Sequence, residues 1–244
     1  MRPLSVAATW SRPTAAVATL EVPRPAAPSF FPRGIVLRVH PRWKLAGKRA
    51  VDVAGAVLGL AVFGPLLLAI AAWIRLDSPG PALFAHERMG RGRRRFHCLK
   101  FRTMHQGAER LLRADPELYA RYVRHDYKLP ARQDPRITRA GRWLRRASLD
   151  ELPQLVNVLR GEMSLVGPRP VVQPELECYG GRAGLLLSVK PGMTGAWAVS
   201  GRSAVGYPAR AEIELAYVAG WSLRRDLGLL LRTIPRVLGA NGAH

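Results

Sequence analysis

Two adjacent carboxylates, Asp150 and Glu151 in Ser148-Leu149-Asp150-Glu151-Leu152-Pro153, stand out for the charges around them. Arg136, Arg139, Arg142, Arg145 and Arg146 precede the pair, and Lys100, Arg102 and Arg169 are further cations outside it. Carboxylates set among many cations suit phosphoryl transfer: one can attack phosphorus while the other holds a divalent metal. Two plainer readings compete. Ser148 and Glu151 have the spacing of a capping box, and acids at a helix start complement its dipole; alternatively the stretch is a solvated basic face with incidental acids. Pro153 bears on the first of these. With Ser148 as the cap, the proline falls deep enough in the helix for its missing N–H to cost a hydrogen bond. A start nearer Asp150 tolerates the proline and sets both acids at an exposed helix mouth, beside anion-binding amides.

The elements that must position this pair are legible in outline. Residues 1–42 are rich in Pro, Ala and Arg without sustained periodicity, which predicts a flexible or surface-lying extension. Val53 to Ile74 carries no charged residue, and as a helix it would be roughly 33 Å long, enough to cross a hydrocarbon core. Gly64-Pro65 sits in its middle, and both flanks are basic: Arg42, Lys44, Lys48 and Arg49 before it, Arg75, Arg88 and Arg91 after it. A single spanning helix fits the length. A segment that enters, breaks at Gly64-Pro65 and leaves on the same face fits the length, the proline and the positive-inside rule together.

Downstream, Ala82–His86 and Arg95–Arg102 predict a small β-hairpin around Gly90-Arg91-Gly92. Helices are expected over Glu109–Tyr127, Ile137–Arg146 and Leu149–Leu159, then ordered loop over 160–210. The tail from Ser222 to Leu238 is amphipathic, with Leu223, Leu227, Leu230, Leu231, Ile234 and Leu238 on one face; it either packs on the core or lies in the membrane interface. The fold class that results is mainly α with a small β-hairpin. It comprises an extension (1–42), a membrane re-entrant helix (43–76) and a domain carrying the acidic pair (77–240), expected on the cytoplasmic side from the basic flanks.

Composition narrows the function. With 38 Lys and Arg against 17 Asp and Glu, the formal net charge is +21, so the partner is anionic: nucleic acid, an acidic membrane face or phosphate-bearing substrates. A nucleic-acid binder leaves the apolar segment unexplained, and no helix-turn-helix, zinc-finger or RNA-binding aromatic signature is present. Cys98 and Cys178 are far apart and the six histidines are scattered, which argues against a disulfide framework or a zinc site.

Five motifs then occur in order: Lys100-Phe101-Arg102-Thr103-Met104, Asp134-Pro135-Arg136-Ile137-Thr138, Ser148 to Leu155, Met163 to Pro170, and Lys190-Pro191-Gly192-Met193-Thr194-Gly195. With the apolar segment upstream, the chain from about Lys48 to Leu238 resembles the bacterial sugar transferases, monotopic phosphoglycosyl transferases that prime glycan assembly. The resemblance implies that Asp150 is a nucleophile attacking the β-phosphate of a UDP-sugar. UMP would leave, and the sugar phosphate would pass from Asp150 to polyprenyl (undecaprenyl) phosphate. It further implies Mg²⁺ held by Glu151, phosphate clamping by Arg145 and Arg169, and a supporting place near the site for Lys100 and Arg102. Arg136 is counted with these as a phosphate-binding candidate. It also implies a re-entrant segment broken at Gly64 and Pro65, and a catalytic domain on the cytoplasmic face of the bacterial inner membrane. The motifs do not distinguish glucose, galactose and acetamido sugars. One departure is Ala198, where the family commonly has Gln. A family member reduced to a non-catalytic membrane scaffold is the other reading; the intact Asp150-Glu151 pair argues against it.

Overall fold

The computed structural model describes residues 41–124, 129–130, 133–201 and 205–238. The extension expected over 1–42 therefore lies almost wholly outside the described residues. The chain opens with α1 (Arg42–Asp77), a helix of 36 residues, or roughly 54 Å. Only Asp52, Ala56, Ile70 and Ile74 are buried along it, whereas Val57, Leu58, Val62, Phe63, Leu66 and Leu68 are exposed. The break expected at Gly64-Pro65 is corrected here: helical backbone continues through Pro65. Proline removes one hydrogen bond to the preceding turn, and the apolar turns on either side keep theirs.

α1 is fixed by apolar packing of Ala56, Ile70 and Ile74 and by polar contact toward its two ends. Near its start, Lys48 Nζ donates to Asp226 (2.6 Å) and to the carbonyl of Val166 (2.9 Å). Arg49 donates to the carbonyls of Val158 and Leu159, and Asp52 accepts from Ser164 Oγ and the Leu165 N–H. At the other end Arg102, buried, donates its guanidinium to the carbonyls of Ile74, Ser78 and Pro79. These include orphan acceptors at a helix C-terminus, where a cation also suits the dipole. Asp77 accepts the Ala140 N–H at the opening of α4 (Arg139–Arg146). Both ends of α1 are thus held by the same domain.

The expected hairpin is present: β1 (Leu83–Met89) pairs antiparallel with β2 (Arg95–Phe101), in a register of Phe84 opposite Lys100, His86 opposite Cys98 and Arg88 opposite Phe96. Directly opposed residues share a face, so Arg88, His86, Phe96, Cys98 and Lys100 line one side of it. The outer edge of β2 is closed by Asn157, fully buried on α5 (Gln154–Arg160). Its side chain accepts from the Leu99 N–H and donates to the His97 carbonyl, as a neighbouring strand would.

The single helix expected over Glu109–Tyr127 is instead α2 (Ala108–Ala114) and α3 (Pro116–Arg124), with residues 125–127 outside the described set. Asp115 separates them because its carboxylate caps α3 at the Leu118 N–H. The stretch 160–210, expected as ordered loop, contains regular elements. It holds a parallel pair, β3 (Ser164–Val166) with β4 (Gly192–Thr194), and the short helices α6 (Ala183–Leu186) and α7 (Ala196–Val199). Three-residue strands carry too little alternation to be read from sequence. Then come α8 (Ala209–Ala219) and α9 (Leu223–Leu238), the latter capped by Ser222 Oγ as expected. The buried side of α9 carries Asp226 and Leu229, while Leu227, Leu231 and Ile234 of its apolar face are exposed.

Asp226 ties α1, α8 and α9 together, accepting from Lys48, the Tyr217 hydroxyl (2.7 Å) and the Trp221 indole (2.9 Å). Removing one partner of a buried charged network leaves the others unsatisfied. Asp226→Ala is therefore expected to destabilise the fold by about 3 kcal/mol, read as a lowered unfolding midpoint in detergent, with Asp226→Asn losing less.

Candidate active site

The acidic pair sits in a tight 3-10 turn, Leu149–Glu151, between α4 and α5. Thr138 caps α4 through the Gly141 N–H, and at its far end Ser148 takes a left-handed conformation (φ 56°) that reverses the chain into the turn. A helix N-cap needs extended backbone, and Ser148 makes no side-chain capping bond, so the capping box does not form. The acids are left to face the surrounding cations.

Glu151 Oε1 lies 2.6 Å from Lys100 Nζ and 3.7 Å from Arg169 Nη1. Burial raises the Asp150 carboxyl above the ordinary aspartate range, and Glu151 raises it further; Lys100 and Arg145 pull it back. Arg145 is half-buried, its Nε donating to Thr103 Oγ1 at 2.9 Å, which aims the guanidinium from α4. Burial draws Arg145 below its usual value, with Asp150 the chief opposing charge.

A cleft opens beside the turn. Its lining includes Glu151, Lys100, Arg88, Cys98, Arg169, Trp197, Ala198 and Glu214. Arg169 reaches it from the Gly167-Pro168-Arg169-Pro170 segment, which β3 and β4 carry. The two chains cross at backbone contact: Gly192 N–H donates to the Pro168 carbonyl and Gly167 N–H to the Thr194 carbonyl. A Cβ on Gly192 would overlap the backbone nitrogen of Gly167, so glycine is required there. The Arg169 N–H donates to Glu214 Oε1 (3.1 Å), and its guanidinium lies over the Trp197 ring at 5.3 Å.

Of the residues singled out from sequence, the structure brings Glu151, Lys100 and Arg169 to one cleft, with Asp150 and Arg145 in electrostatic contact at its edge. It places two others apart. Arg102 is taken up by the end of α1, and Arg136 is buried with its fork on Asp134, Nε and Nη2 each at 2.8 Å. Neither borders the cleft. Arg88, Glu214 and Trp197 were not identified from sequence. Strand parity with Lys100 could have found Arg88; nothing marks Glu214 apart from an ordinary helical acid. Among the described residues no group of three or more His, Cys, Asp and Glu side chains could hold a metal. A divalent cation here would complete its coordination with water and substrate oxygens. Magnesium sites often use one or two carboxylates plus phosphate oxygens, and Glu151 in a cleft fit for anions matches that pattern.

The whole stretch 43–240 matches the family model described as bacterial sugar transferase. A UDP-galactose-lipid carrier transferase of Erwinia amylovora is 46% identical, over 81% of this chain and 41% of its own length. The exopolysaccharide production protein ExoY of Rhizobium meliloti is 44% identical, over 81% of this chain and 88% of its own. A UDP-glucose:undecaprenyl-phosphate glucose-1-phosphate transferase of Caulobacter vibrioides is 42% identical, over 81% and 72%. The chain thus spans about two fifths of the length of some relatives and most of the length of others.

Glu214 is 1% exposed, and burial pushes its carboxyl up to about 7. A raised carboxyl disfavours the folded state once ionised: the cost begins near the ordinary value of 4.5 and is complete above about 7. Glu214→Gln, which keeps an acceptor for the Arg169 N–H, should leave the melting temperature near wild type at pH 5 and raise it at pH 8. The gain at pH 8 is at most about 3 kcal/mol; an equal shift at both pH values would refute the assignment.

Proposed function

The chain belongs to the bacterial sugar transferase family, and from that membership and the cleft we propose that it transfers a sugar 1-phosphate from a UDP-sugar to undecaprenyl phosphate, initiating exopolysaccharide assembly. The observation that carries this reading is the acidic pair in its 3-10 turn, with Glu151 against Lys100 and Arg169 and Asp150 beside Lys100 and Arg145. In the first step an Asp150 carboxylate oxygen bonds to the sugar-bearing phosphorus. The bond from that phosphorus to UMP breaks, and the electron pair leaves with UMP. In the second step an oxygen of the lipid phosphate attacks the same phosphorus and Asp150 is released as carboxylate. Splitting the transfer this way gives ping-pong kinetics. Lys100, Arg145 and Arg169 offset the repulsion between phosphates and carboxylates, in a partly desolvated site where such contacts count for more than in water. Glu151 would hold Mg²⁺, which supplies further positive charge toward the phosphate oxygens when bound.

The same reading accounts for α1. Its exposed middle suits lipid, and attachment of both ends to one domain supports an entry and exit on a single face of the inner membrane, with the catalytic domain cytoplasmic; this needs α1 to bend at Pro65, where one helix hydrogen bond is missing, while its backbone stays helical. The exposed Leu227, Leu231 and Ile234 of α9, and Trp43 near the start of α1, suit the interface of that face.

Two experiments test this. Incubation with UDP-glucose or UDP-galactose without lipid should give a sugar-phosphate adduct by intact mass. Asp150→Asn should give none; an adduct surviving that change would move the nucleophile elsewhere. In a Cys178→Ser background, which removes the exposed native thiol, Trp43→Cys and Leu76→Cys, at the two exposed ends of α1, should both label with an impermeant thiol reagent in inverted membranes and neither in intact spheroplasts. Opposite accessibilities would mean a spanning helix.

A further inference from the structure

The cleft holds a cation that the scheme above does not use. Arg88 lies on β1, on the hairpin face it shares with Lys100, and it lines the cleft with Lys100, Glu151 and Arg169. Its side chain is 15% exposed. Its Nη1 lies 3.5 Å from Glu175 Oε2, and its Nη2 is 3.1 Å from His86 Nδ1. Burial, Arg88 and Lys100 together push His86 below its usual value, so it faces Arg88 as a neutral ring able to accept. The guanidinium is therefore fixed in direction.

Carboxylates around the cleft are shared. Glu175 serves Arg88 and Arg210, and its Oε2 also takes the Val172 N–H. Glu151 serves Lys100 and Arg169. Glu214, with its raised carboxyl, supplies less than a full negative charge near neutrality. With Arg145 and Asp150 included, five cations (Arg88, Lys100, Arg145, Arg169 and Arg210) share Glu151, Glu175 and the Asp150 carboxyl that burial raises, and holding cations in excess in a partly buried space is costly unless an anion joins them. Position says which anion. Asp150 feels Glu151, Lys100 and Arg145, whereas Arg88 feels Glu175, Arg169 and Arg210. Along the hairpin, Arg88 opposes Phe96, four residues before Lys100 on β2, whereas Lys100 itself meets Glu151 beside the nucleophile, so Arg88 lies further along the cleft from the acidic turn than Lys100 does.

Resting on the two-step transfer proposed above, we propose that Arg88 binds the phosphate of the departing nucleotide, one phosphate beyond the group that Asp150 attacks. When the bond from the sugar-bearing phosphorus breaks, its electron pair stays on an oxygen of the nucleotide phosphate. A forked, preoriented guanidinium stabilises that developing charge. The lipid phosphate arrives after UMP has gone, so the second step depends on Arg88 far less.

The test separates the half-reactions in Arg88→Gln, using whichever of UDP-glucose, UDP-galactose and the UDP-acetamido sugars loads the wild type. Adduct formation should slow about 100-fold, the usual cost of losing one donor to a developing oxyanion, and UMP should bind at least tenfold more weakly by calorimetry. Protein loaded by long incubation and freed of nucleotide should pass its sugar phosphate to polyprenyl phosphate within a few-fold of the wild-type rate. Arg88→Lys, which keeps the charge without the fork, should fall between, and it carries the comparison if the Gln variant does not fold. Equal slowing of both steps, or unchanged adduct formation and UMP affinity, would overturn the inference. Absence of an adduct in the wild type with UDP-glucose, UDP-galactose and the UDP-acetamido sugars alike would instead overturn the reading of Asp150, and Arg88 would then be judged on UMP affinity alone.

Discussion

The exposed apolar middle of α1 gains nothing from water, so the helix is placed by what holds it on either side: the packing of Ala56, Ile70 and Ile74 into the domain and the polar contacts beside them. Arg102 secures one end by occupying the carbonyls of Ile74, Ser78 and Pro79, and Lys48, Arg49 and Asp52 secure the other against β3, α5 and α9. These contacts also set the site. Asp52 holds Ser164 and Leu165 at the start of β3, and the chain runs from there through Gly167 to Arg169. Lys48 holds the Val166 carbonyl between them. Arg49 holds the end of α5, whose other end follows directly on Asp150 and Glu151. A shift of α1 would therefore be felt by the acidic turn and by the Arg169 segment together.

The hairpin is the second fixed body, and Asn157 joins it to the first. By bonding to the outer edge of β2 it sets the height of Lys100 against the turn that carries Glu151. Buried polar groups of this kind are costly when half satisfied and rigidifying when fully satisfied. The side chain of Asn157 also donates to Glu162 beyond α5. Lys100 and Glu151 come from strands of sequence 51 residues apart, yet meet at 2.6 Å.

Much of the outline could be read in advance because it depends on local chemistry. A charge-free stretch of that length avoids water, and alternating residues around Gly90-Arg91-Gly92 mark a hairpin whose turn is set locally. Ser222 caps α9 because the residues that follow it are periodic. The short strands β3 and β4 escaped notice because the pairing of Ser164 with Gly192 is non-local. Helical continuity through Pro65 was misjudged because the strength of the flanking turns outweighed one missing donor. Arg102 and Arg136 illustrate a different difficulty. An arginine that caps a helix end or forks onto a buried aspartate looks the same in sequence as one that meets a phosphate, since only its neighbours differ.

The sequence by itself determined the chemistry available: two adjacent carboxylates, an excess of guanidinium groups, and an apolar segment long enough to cross a membrane. Residue type alone limits what each group can donate, accept or avoid. Only the tertiary structure decided which cations share the cleft, that the serine before the pair bends the backbone instead of capping a helix, and that Arg88, Trp197 and Glu214 join the lining. Those outcomes follow from which surfaces pack and which donors find partners across long separations, and no local pattern encodes them.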